Sequence, residues 1–394
     1  MLILSLRAAS MLIKAIFLFF SARHLALEDF GGLTLVNTTI SLALAFMGLN
    51  FHQYSARLIA RQAEPRDAIF NHLVFCALAG LACYTFLPFI AAYAGVRTGL
   101  LPLFCGLLYL EHLCNEAYNL LIPLNRPLAA NVLYFTRTAG AYLLPMGYII
   151  LHPSEADLAT VMRIWALSLG ALVAALAVTY WRSLKGDIPR LSWAFMSVGL
   201  RTCAIYLGVT VLGRMLLTLD KFVVARAHGE AEVGIYSFFF SLAWTIPTLV
   251  ETAVILPTTH EMLNTSRPHV TLLRLAAKIV MLSLALTGGF YLLQGTVLAT
   301  LGKEAFAGQL ELFYLFAGIG VIYSLCQAVT LLLYSRHWDT AILGAYLGAF
   351  IAFVVANALQ PATIFGVGAT ILIAVVVLLA ALLAASRKLL SKTA

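Results

Sequence analysis

Seven basic residues, Lys14, Arg137, Arg163, Arg201, Arg214, Arg274 and Lys278, sit inside stretches otherwise apolar enough to cross a membrane. A cation at mid-bilayer costs roughly 2.5–3.5 kcal/mol on insertion scales. A chain that carries several must shelter them from lipid, in a bundle interior or a wet cavity, and a cationic cavity suits an anionic cargo. Lys14 follows Arg7 by two helical turns, so the two share a face and form a cationic stripe climbing from one membrane mouth. The stripe attracts a diphosphate; the plain alternative is that both snorkel to headgroups. Arg201 and Arg214 are too far round one straight helix to reach a single small ligand, and Arg214, nearer the middle, is the better cavity candidate. Arg163, Arg274 and Lys278 lie close enough to span ends to reach headgroups. Lys14, Arg137 and Arg214 are therefore the candidate substrate-binding residues.

The acidic partners are fewer. His112, Asn115, Glu116 and Asn119 recur at i, i+3, i+4 and i+7, one polar stripe of a helix, with Glu111 beside it. Arg137, on the next span at overlapping depth, is within reach of either carboxylate. A structural ion pair is one reading, and a protonatable carboxylate that couples transport to proton flow is the other. Asp220 and Lys221 close another span, as a gate contact or a solvated helix end. Glu251 lies four residues after Pro247, and a carboxylate near a helix break can hold an ion or pair with Arg214. Glu111, Glu116, Asp220 and Glu251 are the candidate gate or ion-coupling residues.

These positions need membrane helices to hold them. The 394 residues are 62% hydrophobic and only 11% charged, against about 25% charged in an ordinary soluble domain. A spanning helix needs about 20 apolar residues, and apolar blocks accommodate twelve spans, among them 31–56, 99–122, 128–151, 194–220 and 233–257. The net charge of +8 reads as topology rather than nucleic-acid binding: thirteen Lys and Arg fall in one set of connections (Arg61 and Lys185 among them) and five in the other. That split places both termini in the cytoplasm. The six cysteines lie in apolar blocks with no CxxC pair, so neither disulfides nor a metal site is expected. No Walker A loop, HExxH or Gly-x-Ser-x-Gly is present. The chain is therefore read as no enzyme, with no catalytic residue and no cofactor.

Glu28-Asp29-Phe30-Gly31-Gly32 opens the second span and Ala231-Glu232-Val233-Gly234-Ile235-Tyr236 the eighth, about half the chain apart. Six spans per half is the pattern of parallel repeats. The expected fold is all-α integral membrane, about twelve transmembrane helices in two six-helix lobes, residues 1–192 and 193–394.

The segment Leu219-Asp220-Lys221-Phe222-Val223-Val224-Ala225-Arg226, with Glu232-Val233-Gly234-Ile235-Tyr236-Ser237 and Pro257 after it, resembles the seventh-to-eighth-span region of bacterial polysaccharide flippases of the multidrug/oligosaccharidyl-lipid/polysaccharide exporter superfamily. Phe30-Gly31 through Gly48-Leu49, followed by Arg57, is similar to the first-half equivalent. The resemblance implies a transporter that flips undecaprenyl-diphosphate-linked oligosaccharide across the bacterial inner membrane by alternating access through a cationic cavity. Implied partners are the lipid-linked oligosaccharide, membrane lipids, and polysaccharide polymerase or assembly proteins, with no nucleic acid. Two rivals stay open: a cation-coupled multidrug exporter of the same superfamily, which would favour an acidic cavity, and a membrane polymerase or ligase of lipid-linked sugars. The latter would need a sizeable outer loop, and the longest here is about a dozen residues.

Overall fold

The computed structural model describes residues 2–59, 66–93, 97–183, 190–264, 268–359 and 363–393. Arg61 and Lys185, two of the loop cations counted above, lie outside the described residues. Among the described residues every regular element is helical. In chain order they are α1 (Leu2–His24), α2 (Leu27–Met47), α3 (His52–Ile59), α4 (Arg66–Tyr93), α5 (Leu101–Leu121), α6 (Pro127–Leu151), α7 (Leu158–Ser183), α8 (Trp193–Leu216), α9 (Leu219–His228), α10 (Glu230–Val250), α11 (Leu256–Asn264), α12 (Pro268–Leu301), α13 (Glu304–Ala307), α14 (Glu311–Ser335), α15 (Asp339–Leu359) and α16 (Ile364–Thr393). Twelve of these have 21 residues or more, and ten stretches are long and apolar enough to cross a membrane. The two long helices missing from the ten are α5 and α6, which carry Glu111, His112, Asn115, Glu116 and Arg137. Their polarity, rather than their length, sets them apart. The chain is an all-α, multi-pass membrane protein.

Helix boundaries follow local chemistry. Pro127 opens α6, where its missing N–H is one the helix would leave unbonded anyway. Gly229, at φ 88°, ends α9 and caps α10, a conformation that costs a residue with a Cβ far more. The span expected over 31–56 is interrupted. It breaks after Met47, because Leu49 and Asn50 both take left-handed backbone, at φ 45° and 52°. Asn50 is held there by a 3.3 Å hydrogen bond from its side chain to the Tyr206 carbonyl. The eighth span also differs from a plain helix. Pro247 has no N–H to give to the preceding turn, and a π-helical segment, Glu251–Ile255, joins α10 to α11. Pro247 lies so close to α14 that a Cβ on Gly320 would meet its ring at 3.0 Å.

The chain divides into two compact units, Met1–Leu207 and Gly208–Ala394. The division falls inside α8, whereas the sequence reading puts it ahead of that helix, at 192/193. The reason is packing. Phe195 and Met196 join the cluster of Phe51, Tyr54 and Phe75 in the first unit. Asn71 on α4 clasps the approach to α8 from both sides, donating to the Arg190 carbonyl (2.8 Å) and accepting from the Ser192 N–H (2.6 Å). Gly199 permits the contact: a Cβ there would overlap the buried Phe51 ring and meet Tyr54 Cδ1 at 2.6 Å. Phe51 is stacked on Phe75 at 3.9 Å and has nowhere to go. Gly199→Ala is expected to destabilise the protein by about 1–3 kcal/mol, the usual cost of overpacking. A lowered thermal midpoint in detergent checks this, and an unchanged midpoint would refute it.

Part of the packing recurs in the two units. In the first, α5 touches α2, α4, α6 and α7, and α6 touches α7; in the second, α14 touches α10, α12, α15 and α16, and α15 touches α16. The two short sequence matches thus open helices, α2 and α10, that hold corresponding places beside α5 and α14, whereas the packing of α1 on α6 has no equally close counterpart between α8 and α15.

Candidate functional site

The basic residues of the first span are brought together with α5 and α6. Arg7 donates from Nε to Asn131 Oδ1 (2.8 Å) and from a terminal nitrogen to the Tyr118 hydroxyl (2.7 Å). Lys14 donates to the Tyr134 hydroxyl at 2.8 Å, with Nζ 5.1 Å from that ring's centre. Both side chains are exposed. Tyr118 and Tyr134 have ring centres 5.9 Å apart, and Tyr142, about two turns further along α6, packs against Phe17. Arg137 lies within electrostatic reach of Lys14. The shared face inferred for Arg7 and Lys14 thus becomes a ladder of cations and tyrosines in the first unit. The partners of Arg7 and Lys14 are neutral amide and hydroxyl groups, so the positive charge is not cancelled locally.

Arg137 is different. Its guanidinium forms an ion pair with Glu111, whose other oxygen accepts a 2.8 Å hydrogen bond from Trp165 Nε1. Glu111 is 2% exposed. Of the two carboxylates within its reach, Arg137 takes Glu111 and leaves Glu116 to a separate cluster. Glu116 meets His72 Nε2 at 3.1 Å, Cys76 Sγ at 3.5 Å and the Asn115 side-chain amide at 3.3 Å. His72 and Cys76 come from α4 and were not singled out by the sequence, since an i, i+4 His–Cys pair in an apolar helix carries no motif. Cys76 is therefore placed against a histidine and a carboxylate. Gly48, at the end of α2, leaves room for this carboxylate: a Cβ there would sit 2.9 Å from Glu116 Oε1.

In the second unit Asp220 and Lys221 are not at a solvated helix end. The polypeptide turns briefly after Leu216 and continues as α9, which places both residues inside the protein, Asp220 fully buried and Lys221 5% exposed. Lys221 Nζ lies 3.3 Å from Asp220 Oδ2, 3.1 Å from the Leu217 carbonyl and 3.6 Å from the centre of the Phe240 ring. Arg214 and Glu251 are exposed, and both lie within electrostatic reach of Tyr323. Glu251 opens the π-helical segment, so the helix irregularity expected near it is real. Arg163, Arg201 and Lys278 are exposed, and Arg274 is paired with Glu261 at 3.4 Å.

In these groups charge is either paired with carboxylate, as in Arg137–Glu111 and Lys221–Asp220, or held by neutral donors and acceptors, as at Arg7 and Lys14. A family profile described as "Polysaccharide biosynthesis protein" matches residues 1–262. Solved structures with the same fold include an outward-facing multidrug resistance MATE family transporter of the MOP superfamily, at 16% identity and a TM-score of 0.57, covering 99% of this chain and 93% of that one. A MATE transporter in complex with MaL6 matches at 15% identity and a TM-score of 0.61, covering 99% and 94%. The MATE multidrug transporter DinF-BH matches at 14% and 0.60, covering 98% and 95%. No curated protein sequence matches. Two thirds of the sequence carry the profile and nearly all of it carries the fold: the chain belongs to the polysaccharide biosynthesis protein family, and its fold is similar to that of these MATE structures.

Proposed function

We propose that this protein flips an undecaprenyl-diphosphate-linked oligosaccharide from the inner to the outer leaflet of the bacterial inner membrane, by alternating access, with both termini in the cytoplasm. One observation carries the reading. Arg7 and Lys14 keep their charge facing tyrosine and asparagine rather than carboxylate, so a diphosphate would find donors already aligned and uncompensated. The tyrosine row suits sugar rings, which pack on aromatic faces and exchange hydrogen bonds with phenol hydroxyls. Arg137 contributes to the field of the same face while anchored by Glu111, and Arg214 is the cation to test in the second unit. Polysaccharide polymerase or assembly proteins would receive the product.

The MATE fold favours export of cationic drugs as the second reading. Arg7 and Lys14 count against it, because an uncancelled positive face repels a cationic cargo. A polymerase or ligase finds no support in the residues described above.

The test is transport in proteoliposomes with a lipid-linked oligosaccharide, comparing Lys14→Gln and Arg7→Gln/Lys14→Gln with the parent protein. A hydrogen bond to a charged group contributes about 1.5–3 kcal/mol, so the double variant is expected to lose roughly a hundredfold in transport efficiency or more. Its thermal midpoint should stay near that of the parent, since both side chains are exposed. The loss should shrink at high salt, where the parent's own attraction is screened. Parent-like flipping by the double variant would end the proposal, and gain of cationic-drug export would turn it toward the second reading.

A further inference from the structure

We propose that His72, Cys76 and Glu116 form a binding site for a zinc-class divalent ion within the first unit, independent of the cargo. His72 and Cys76 lie one turn apart on α4 and face the same way; Glu116 comes from α5, which packs across them. All three are buried, at 0%, 3% and 3% exposure. The three donor atoms make a triangle: His72 Nε2 to Glu116 Oε2 3.1 Å, Cys76 Sγ to Glu116 Oε2 3.5 Å, Cys76 Sγ to His72 Nε2 3.5 Å. Metal–ligand bonds of roughly 2.0–2.3 Å at tetrahedral angles put neighbouring ligand atoms about 3.3–3.8 Å apart. The triangle is therefore close to one face of a zinc tetrahedron before any ion arrives.

Two further features bear on the cluster. The first is an orphaned nitrogen. His112 Nε2 donates to the Cys76 carbonyl at 3.3 Å, an acceptor only, so the neutral ring keeps a bare lone pair on Nδ1. That Nδ1 is buried, has no hydrogen-bond partner, and sits 3.9 Å from Glu116 Oε1. It faces the carboxylate oxygen that accepts from Asn115 rather than the one in the triangle, so a positive charge on the cluster would ease this contact, and a water would complete four ligands. The second is the outer support. Ser55 Oγ meets His72 Nδ1 at 2.8 Å while the Phe51 carbonyl, 3.3 Å away, is available for the hydroxyl proton. His72 Nδ1–H then donates to Ser55, and Nε2 is left as the ligating atom. Asn115 donates to Glu116 Oε1 and orients the carboxylate. Second-sphere partners of this kind fix ring tautomer and carboxylate orientation at metal sites. A thiolate, imidazole and single carboxylate select zinc or a neighbouring first-row ion over magnesium or calcium. Binding requires Cys76 to give up its thiol proton to solvent. The bound ion would cross-link α4 to α5.

The test uses the full-length chain without a polyhistidine tag, purified in detergent, stripped with chelator and titrated with Co²⁺. The expected result is one cobalt per chain, with intense d–d bands of a tetrahedral ion and a thiolate-to-cobalt charge-transfer band, all bleached by Zn²⁺. Cys76→Ser should abolish the charge-transfer band and Glu116→Gln should weaken binding, whereas Cys114→Ser, at a buried cysteine outside the cluster, should change neither. Weak octahedral bands without charge transfer would overturn the proposal, as would equal cobalt in the parent and Cys76→Ser, which is an adventitious ion only. If Cys76→Ser fails to fold, the spectrum of the parent protein decides by itself, because a thiolate band is either there or not. Zinc should also protect Cys76 from alkylation in the parent protein, and alkylation unaffected by zinc would count against the site.

Discussion

Replacing Arg137 with methionine is expected to lower the thermal midpoint of the protein sharply, and replacing Glu111 with glutamine in the same chain is expected to restore most of the loss. Glu111 is almost completely enclosed and is held by the Arg137 guanidinium and the Trp165 indole N–H. Removing the arginine leaves an uncompensated carboxylate in an apolar helix bundle, which costs about 3–5 kcal/mol. With Glu111→Gln present no charge is stranded, and the amide can still accept from Trp165. Such neutral replacements of a buried pair are often close to neutral overall. The double variant then separates two roles. If Arg137 only neutralises Glu111, Glu111→Gln/Arg137→Met should fold and match the parent in the proposed transport assay. If its charge also contributes to the cationic face of Lys14, the double variant should fold but transport less. A parent-like midpoint for Arg137→Met alone would show that the carboxylate finds its proton or another partner at little cost, and the ion-pair account would fall.

What the sequence discloses here depends on whether a residue is costly in lipid. Lys14, Arg137 and Glu111 stand out in any apolar stretch because each needs a reason to be there, and i, i+7 spacing is enough to put Arg7 and Lys14 on one face. Helix length and hydropathy likewise suffice for the all-α architecture. Three features escape. The break after Met47 depends on left-handed backbone at Leu49 and Asn50, positions with no proline or glycine of their own to mark them. The partition inside α8 depends on aromatic packing around Phe51, which periodicity does not encode. The His72–Cys76–Glu116 cluster exists only because α4 and α5 cross, and neither helix alone shows a ligand motif. Asp220 is an intermediate case: its identity marks it, but its depth follows from α9 continuing beyond the turn at Leu217 and Thr218.

That depth makes Asp220→Ala the second severe change. Adjacent residues of a helix do not normally face one another, yet Lys221 folds back onto Asp220, since the other groups around Nζ are one carbonyl and the face of Phe240. A desolvated cation–π contact contributes about 2 kcal/mol, which is less than the several kcal/mol required to bury an ammonium group. Asp220 must supply the difference. Asp220→Ala should therefore lose about 3–5 kcal/mol, read as a lowered midpoint and poor folded yield, and Lys221→Met added to it should recover most of that by turning the pair into apolar packing. A parent-like midpoint for Asp220→Ala would show that the lysine has a second anion or sheds its proton cheaply. The rescued double variant also tests the proposed gate role: parent-like activity in the proposed transport assay would mean that the pair serves only to bury itself, whereas a folded protein inactive in that assay would mean that the charges are made and broken during the cycle. The second outcome is the one expected, because an apolar pair of the same size would hold α9 against α10 at least as well, and a buried ion pair is weak as a purely structural device.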